Sequence, residues 1–187
     1  MIVAKGLTVE GVYPAISLEA GKGTLTVVAG QTGSGRTSLL LTLAGRMKPT
    51  GGTLSVAGHT RPHAIRRVAS LALVDGVTDP DRSLTVAEHL RERRRKPYTQ
   101  ALKAAGLDLD PRTLARELDR EQQVRLGVAM ALLDEPAVIV ADNLDAGLPD
   151  GHQDRLWTML RELTAKGYTV AASCVQAPDR FDHLVEL

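Results

Sequence analysis

The stretch Val27 to Gly45, VVAGQTGSGRTSLLLTLAG, constrains this chain more than any other. A short apolar run leads into a glycine-rich turn, and the turn opens a leucine-bearing segment. Within it, Gly30-Gln31-Thr32-Gly33-Ser34-Gly35-Arg36-Thr37 follows the phosphate-loop pattern G-x-x-x-x-G-K-[ST], except that an arginine stands where the lysine belongs. A glycine loop joining a buried strand to a helix gathers backbone N–H groups around one point and adds the positive end of the helix dipole, which is the geometry a phosphate needs. The candidate phosphate-binding residues are therefore Gly30, Gly33, Ser34, Gly35, Arg36, Thr37 and Ser38, with the Thr37 hydroxyl placed to reach Mg²⁺. Arg36 keeps the charge of the usual lysine but not its shape, because a guanidinium is planar and prefers forked contacts.

The rest of the chain gives that loop its setting. Leu25 to Ala29 reads as a strand buried on both faces, and Thr37 to Leu43 as a helix closed by Gly45. Gly6–Val12, Ala15–Glu19, Thr53–Ala57, Val68–Val74, Ala137–Ala141 and Tyr168–Ser173 read as further strands. Helices are expected over Glu121–Leu133 and from about Gly151 to Lys166, while Asp75 to about Leu118 is mostly polar and helical, like an inserted lobe. Strands alternating with helices predict a parallel, doubly wound α/β sheet, whose ligand sits at the carboxyl ends of its strands.

Composition narrows the function classes. A chain of 187 residues that is 43% hydrophobic fits one well-buried core and is read as a single domain. Lys and Arg number 23 against 22 Asp and Glu, so the net charge of +1 gives no reason to expect a nucleic acid as partner. Runs such as Ala69–Val74 and Val128–Leu133 are far below the roughly 20 apolar residues that cross a bilayer, so no transmembrane segment is expected and the chain reads as cytoplasmic. Cys174 is the only cysteine, which excludes an internal disulfide.

Beyond the phosphate loop, Asp142 ends an apolar strand where a carboxylate can hold Mg²⁺, and Leu118-Asp119-Arg120-Glu121-Gln122-Gln123-Val124-Arg125 opens the helix that leads to Asp134-Glu135-Pro136 and that strand. With these segments in order, the chain resembles the nucleotide-binding domain of ATP-binding cassette (ABC) proteins. Ile16 to Gly58 is similar to the first half of that domain and LTVAEHL (Leu84 to Leu90) to the start of its helical lobe, and the final HLVEL extends the likeness over essentially the whole chain. The resemblance implies a P-loop NTPase-type parallel sheet flanked by helices, a small antiparallel β subdomain and a helical lobe inserted at about 76–120. It implies ATP or ADP and Mg²⁺ as ligands, with Asp75 joining Thr37 and Asp142 at the metal. It also implies a membrane permease or another ABC subunit as partner, in a homo- or heterodimer, at the inner face of the cell membrane.

Several positions depart from the family pattern. The signature L-S-G-G-Q aligns with Leu118 to Gln122, which puts the carboxylates of Asp119 and Glu121 where phosphate should go, or else makes them caps of a solvated helix. Asn143 stands at the catalytic glutamate and Val175 at the switch histidine, so neither can serve as a general base and no catalytic residue is assigned. Pro149 stands at a loop aspartate, and Tyr13 aligns with the adenine-stacking aromatic but is expected to be structural. The expected function is an ATP-binding subunit with little or no hydrolysis, a degenerate ATPase acting as a regulatory or coupling partner. A nucleotide-free scaffold and an active ATPase with substituted residues are the alternatives. The run Arg91 to Lys96 is either a solvated helix face or a basic contact for a partner or lipid headgroup.

Overall fold

A computed structural model describes residues 1–94 and 97–187. Two sheets organise it. The strands β1 (Ile2–Val9), β2 (Tyr13–Ala20) and β4 (Gly51–Val56) form a small antiparallel sheet in the order β2-β1-β4. The strands β3 (Leu25–Ala29), β5 (Ala69–Leu71), β6 (Val138–Ala141), β7 (Thr169–Cys174) and β8 (His183–Glu186) form a parallel sheet in the order β5-β6-β7-β3-β8.

The mostly apolar make-up of β3, β6 and β7 follows from this position. Leu25, Val27 and Ala29 face one hydrophobic cluster together with Ile139, Ala141, Val170 and Ala172, whereas Val28, Val138, Val140 and Ala171 face the other. Successive side chains of a strand point to opposite faces, so a strand with a core on each side is apolar at most positions, with Thr26, Thr169 and Ser173 as buried polar exceptions here. On the first face pack α5 (Arg120–Leu132) and α6 (Asp150–Ala165), through residues such as Leu126, Leu156 and Leu160. On the second lie α1 (Arg36–Leu43), α2 (Pro62–Val68) and the antiparallel sheet, through Leu39, Leu43, Ile65 and Leu7.

Between β5 and α5 the chain builds α3 (Val86–Arg93), α4 (Thr99–Ala104) and a 3-10 turn at Ala115–Glu117. Thr85 caps α3 reciprocally with Glu88, the Glu88 N–H donating to Thr85 Oγ1 and the Thr85 N–H to Glu88 Oε2. Leu90, Leu102 and Leu107 join the same cluster as Leu126 and Leu132, which seats these helices on α5. Arg95 and Lys96 of the basic run lie outside the described residues.

The elements differ from the sequence expectation in several places. Val68 to Val74 is not one strand: Val68 closes α2, and only Ala69–Leu71 pairs with β6. All of Ala69 to Val74 is buried, so the run is apolar for burial rather than for pairing. β1 begins at Ile2, and its pairing shifts register around Gly6, whose φ of +56° breaks the alternation. β8 was not expected as a strand, being four residues at the edge of the sheet with only Val185 buried.

Candidate functional site

The Gly30–Gly35 turn leaves the end of β3 and enters α1 at Arg36. Gly35 is its geometric constraint. With φ at +96°, a Cβ there would stand 2.5 Å from the Val12 carbonyl oxygen and 2.9 Å from the Tyr13 Cβ, so only glycine lets the β1–β2 turn press against the loop. Gly33, at φ +86°, has nothing within 4 Å of its Cβ position and leaves that side of the turn open. No side chain caps the start of α1. The loop borders a cavity of about 520 Å³. Gly33, Gly35, Arg36, Thr37 and Ser38 line it with Val12 and Thr32, and Asn143, Asp145, Ala146 and Val175 form its other wall. Gly30, Ser34 and Asp142 are not among the lining residues.

Arg36 is only 6% exposed, and its Nη1 has no hydrogen-bond partner. No ion pair to it occurs among the described residues. The buried Ser34 Oγ is likewise unpartnered. A buried cation without a counter-charge is costly, and an anion entering the cavity would offset that cost.

Deeper in, the Thr37 hydroxyl donates to Asp142 Oδ2 at 2.6 Å, and the Ser173 hydroxyl donates to Asp142 Oδ1. Asp142 is 1% exposed at the end of β6. Hydroxyl and carboxylate oxygens of this kind suit Mg²⁺, which keeps several waters and takes one or two protein ligands beside phosphate oxygens. Among the described residues no group of three or more His, Cys, Asp and Glu side chains gathers at one point, so phosphate and water would have to complete the shell. Asn143 sits at φ +50° with its N–H donating to Ser173 Oγ at 2.9 Å. Asp145 Oδ2 accepts the N–H groups of Val175 and Gln176. Burial pushes the Cys174 thiol up to about 12, with the Asp145 charge adding to the rise and Arg36 opposing it, so the thiol is an inert part of the core.

Asp75 and the start of α5 are engaged elsewhere. Both carboxylate oxygens of Asp75 take hydrogen bonds from the Arg120 guanidinium, at 2.9 and 3.1 Å. Asp119 caps α5, its Oδ1 accepting the Gln122 N–H at 2.8 Å while Gln122 Oε1 accepts the Asp119 N–H at 3.0 Å. Glu121 is not a solvated cap. It is 8% exposed, accepts from Arg125 and Arg155, and has His152 Nδ1 at 2.7 Å. Burial alone would raise its pKa, but the hydrogen bonds from Arg155 and Arg125, then the Arg125 charge and His152, hold it down at about 2. Tyr13 is buried, its hydroxyl donating to Thr42 Oγ1 at 3.0 Å.

Sequence reasoning did not single out Ser173, His152 or Arg155. Arg125, four residues after Glu121 on one helix, carried a readable i,i+4 signal. The others lie 31 and 34 residues from their partners.

An α/β core with a phosphate loop at the end of a central strand, a second β sheet and helices between β5 and α5 defines a class of nucleotide-binding cassette. A family model described as "ABC transporter" matches residues 13–146, and the chain belongs to that family. It is 34% identical over 160 residues to a putative ribose/galactose/methyl galactoside import ATP-binding protein 1 of Rhizobium meliloti (strain 1021), covering 78% of this chain and 32% of that protein. It is 30% identical over 172 residues to the Nod factor export ATP-binding protein I of Ralstonia nicotianae, covering 86% of this chain and 54% of the relative. The chain thus spans about a third to a half of these relatives. Among solved structures, a putative ABC transporter ATP-binding protein from Pyrococcus furiosus superimposes with a TM-score of 0.83 at 20% identity, covering 100% of this chain and 96% of that one. A nucleotide-free ATP-binding cassette from an ABC transporter gives 0.86 at 19% identity, covering 100% and 87%. Both share the ABC cassette fold. Among the described residues no helix is long and apolar enough to cross a membrane.

Proposed function

We propose that this chain is an ABC-type ATP-binding subunit that binds ATP or ADP with Mg²⁺, hydrolyses little or none of it, and acts as a regulatory or coupling partner of a membrane transporter-like assembly. The observation that carries the reading is the Arg36 guanidinium, buried beside the phosphate loop with its Nη1 unpartnered, across a cavity from Asn143 and Val175. Phosphate oxygens would be held by the amides of Gly30 to Ser38, by the Ser34 hydroxyl and by Arg36. Mg²⁺ would neutralise phosphate charge, held by Thr37 and Asp142, with Asp75 joining only by releasing Arg120.

Hydrolysis needs a group that accepts a proton from the attacking water, and such help is worth about 10²–10⁴-fold in rate. Asn143 and Val175 cannot accept that proton usefully. The one carboxylate on the cavity wall, Asp145, already takes two backbone N–H groups. At the signature position, Glu121 is spent on Arg125, Arg155 and His152, and Asp119 on its cap, so neither is free to reach another subunit's nucleotide. The 187 residues are read as one cassette with its lobe at about 76–120. The kinship with sugar import and Nod factor export ATP-binding proteins supports a permease or second ABC subunit as partner and a place at the inner membrane face.

Calorimetric titration with Mg²⁺-ATP and Mg²⁺-ADP tests the reading, together with phosphate release. Binding heat without turnover is expected. Absence of heat up to millimolar nucleotide would leave a nucleotide-free scaffold, and turnover abolished by Thr37→Ala would make the chain an active ATPase. Arg36→Lys combined with Asn143→Glu should raise phosphate release above the unmodified chain.

A further inference from the structure

We infer that this site reads the phosphate chain and is indifferent to the base, so that nucleoside di- and triphosphates of any base are its ligand class. The inference rests on the nucleotide-binding reading above. A protein holds a base by stacking an aromatic ring on its face, and tells one base from another by meeting its edge with fixed donors and acceptors. The chain has one Trp, three Tyr and one Phe, and none of them lines the cavity beside the phosphate loop. Tyr13 is the aromatic residue beside that cavity, in the turn that touches Gly35, and its ring is turned away. It is 4% exposed among core residues, and its hydroxyl is fixed to Thr42 Oγ1, which itself donates to the Ser38 carbonyl at 2.8 Å.

The backbone prevents a simple rearrangement. The Val12 carbonyl and the Tyr13 Cβ already stand where a Cβ on Gly35 would be, so the turn has no slack against the loop. Swinging the ring out would break a buried hydrogen bond and open a hole in the core under β1 and β2, which offsets what stacking on a base returns. What this hairpin does present to the cavity is Val12, an aliphatic side chain 39% exposed, with no π face and no hydrogen-bonding group. The built part of the site is the anion end, where Arg36 is more than nine-tenths buried with an unpartnered Nη1.

The test is calorimetry on the full chain with ATP, GTP and inorganic triphosphate, each with Mg²⁺. ATP and GTP are expected within about threefold of each other, and triphosphate within about tenfold of both, since a stacked base commonly contributes more than that. ATP binding more than about tenfold tighter than GTP or triphosphate would overturn the inference while leaving nucleotide binding intact. If neither nucleotide nor triphosphate binds, the nucleotide-binding reading itself fails, and the inference with it. Tyr13→Leu gives a second readout that does not depend on the stability of the variant. The ratio of ATP to triphosphate affinity should stay as in the unmodified chain, and a selective loss of ATP would show that the ring leaves the core to stack.

Discussion

The starts of α1 and α5 are built from similar materials and end in opposite states. At α1 no side chain caps the helix, and Arg36 and Ser34 keep buried groups without partners. At α5 every charged side chain is used: Asp119 on the Gln122 N–H, Arg120 on Asp75, and Glu121 on Arg125, Arg155 and His152. Folded proteins seldom leave buried polar groups unsatisfied, which supports the proposed ligand at the first terminus, while the second is a joint within the chain. On the proposed function, the same kind of residue, a charge at a helix start, serves as a ligand group in one place and a fastener in the other.

The largest effect should come from Arg36→Met. Calorimetry should show nucleotide affinity falling by about a thousandfold, because a buried charged contact to phosphate is lost. Thermal unfolding of the free protein should not move downward, since the variant removes a buried cation that has no ion pair among the described residues. A lowered melting temperature would mean that Arg36 is structural, and the contrast between the two termini would collapse.

Glu121→Gln should do the reverse. Chemical denaturation should show a loss of about 2 to 3 kcal/mol, with nucleotide affinity little changed, because Arg125 and Arg155 lose their shared carboxylate. The same group sets an acid sensitivity. Its pKa is about 2 in the fold against 4.5 ordinarily, so its contribution is complete above 4.5 and lost as pH falls toward 2. Unfolding curves across that window should show the unmodified chain losing up to about 3 kcal/mol that the glutamine variant does not lose.

A smaller change is expected from Thr37→Ala, which should reduce the gain in nucleotide affinity given by Mg²⁺ by about tenfold in titrations with and without the ion. Asp75→Asn should matter least. Its bond to Arg120 is partly exposed, with the Asp75 side chain at 44%, and denaturation should shift by less than about 1 kcal/mol. A larger loss would make Asp75–Arg120 a second fastener of the rank of Glu121.

The phosphate loop was legible because glycine spacing and a strand-turn-helix setting are local properties, and Leu25–Ala29 betrayed its double burial by having no polar interruption except Thr26. Asp142 was legible as the residue ending a strand. The joint at α5 was not, because Glu121 meets Arg155 across 34 residues and Arg120 meets Asp75 across 45, distances at which only the folded topology brings chains together. The orientation of Tyr13 was half legible: its structural role was expected, but the bond to Thr42 depends on how the β1–β2 hairpin lies on α1. α2 escaped notice because it is seven residues long with only Ile65 buried, too little for a helical period to register.

Val27 and Val28 are consecutive in β3 yet belong to different cores, one under α5 and α6 and the other under α1 and the antiparallel sheet. Slackening introduced at Val28 should therefore be felt by the helix that carries Arg36 and Thr37, while the same change one position earlier should be felt by the footing of the lobe. A single strand acts as a partition between two mechanical compartments, and adjacent residues along it are separate handles on ligand grip and on lobe attachment.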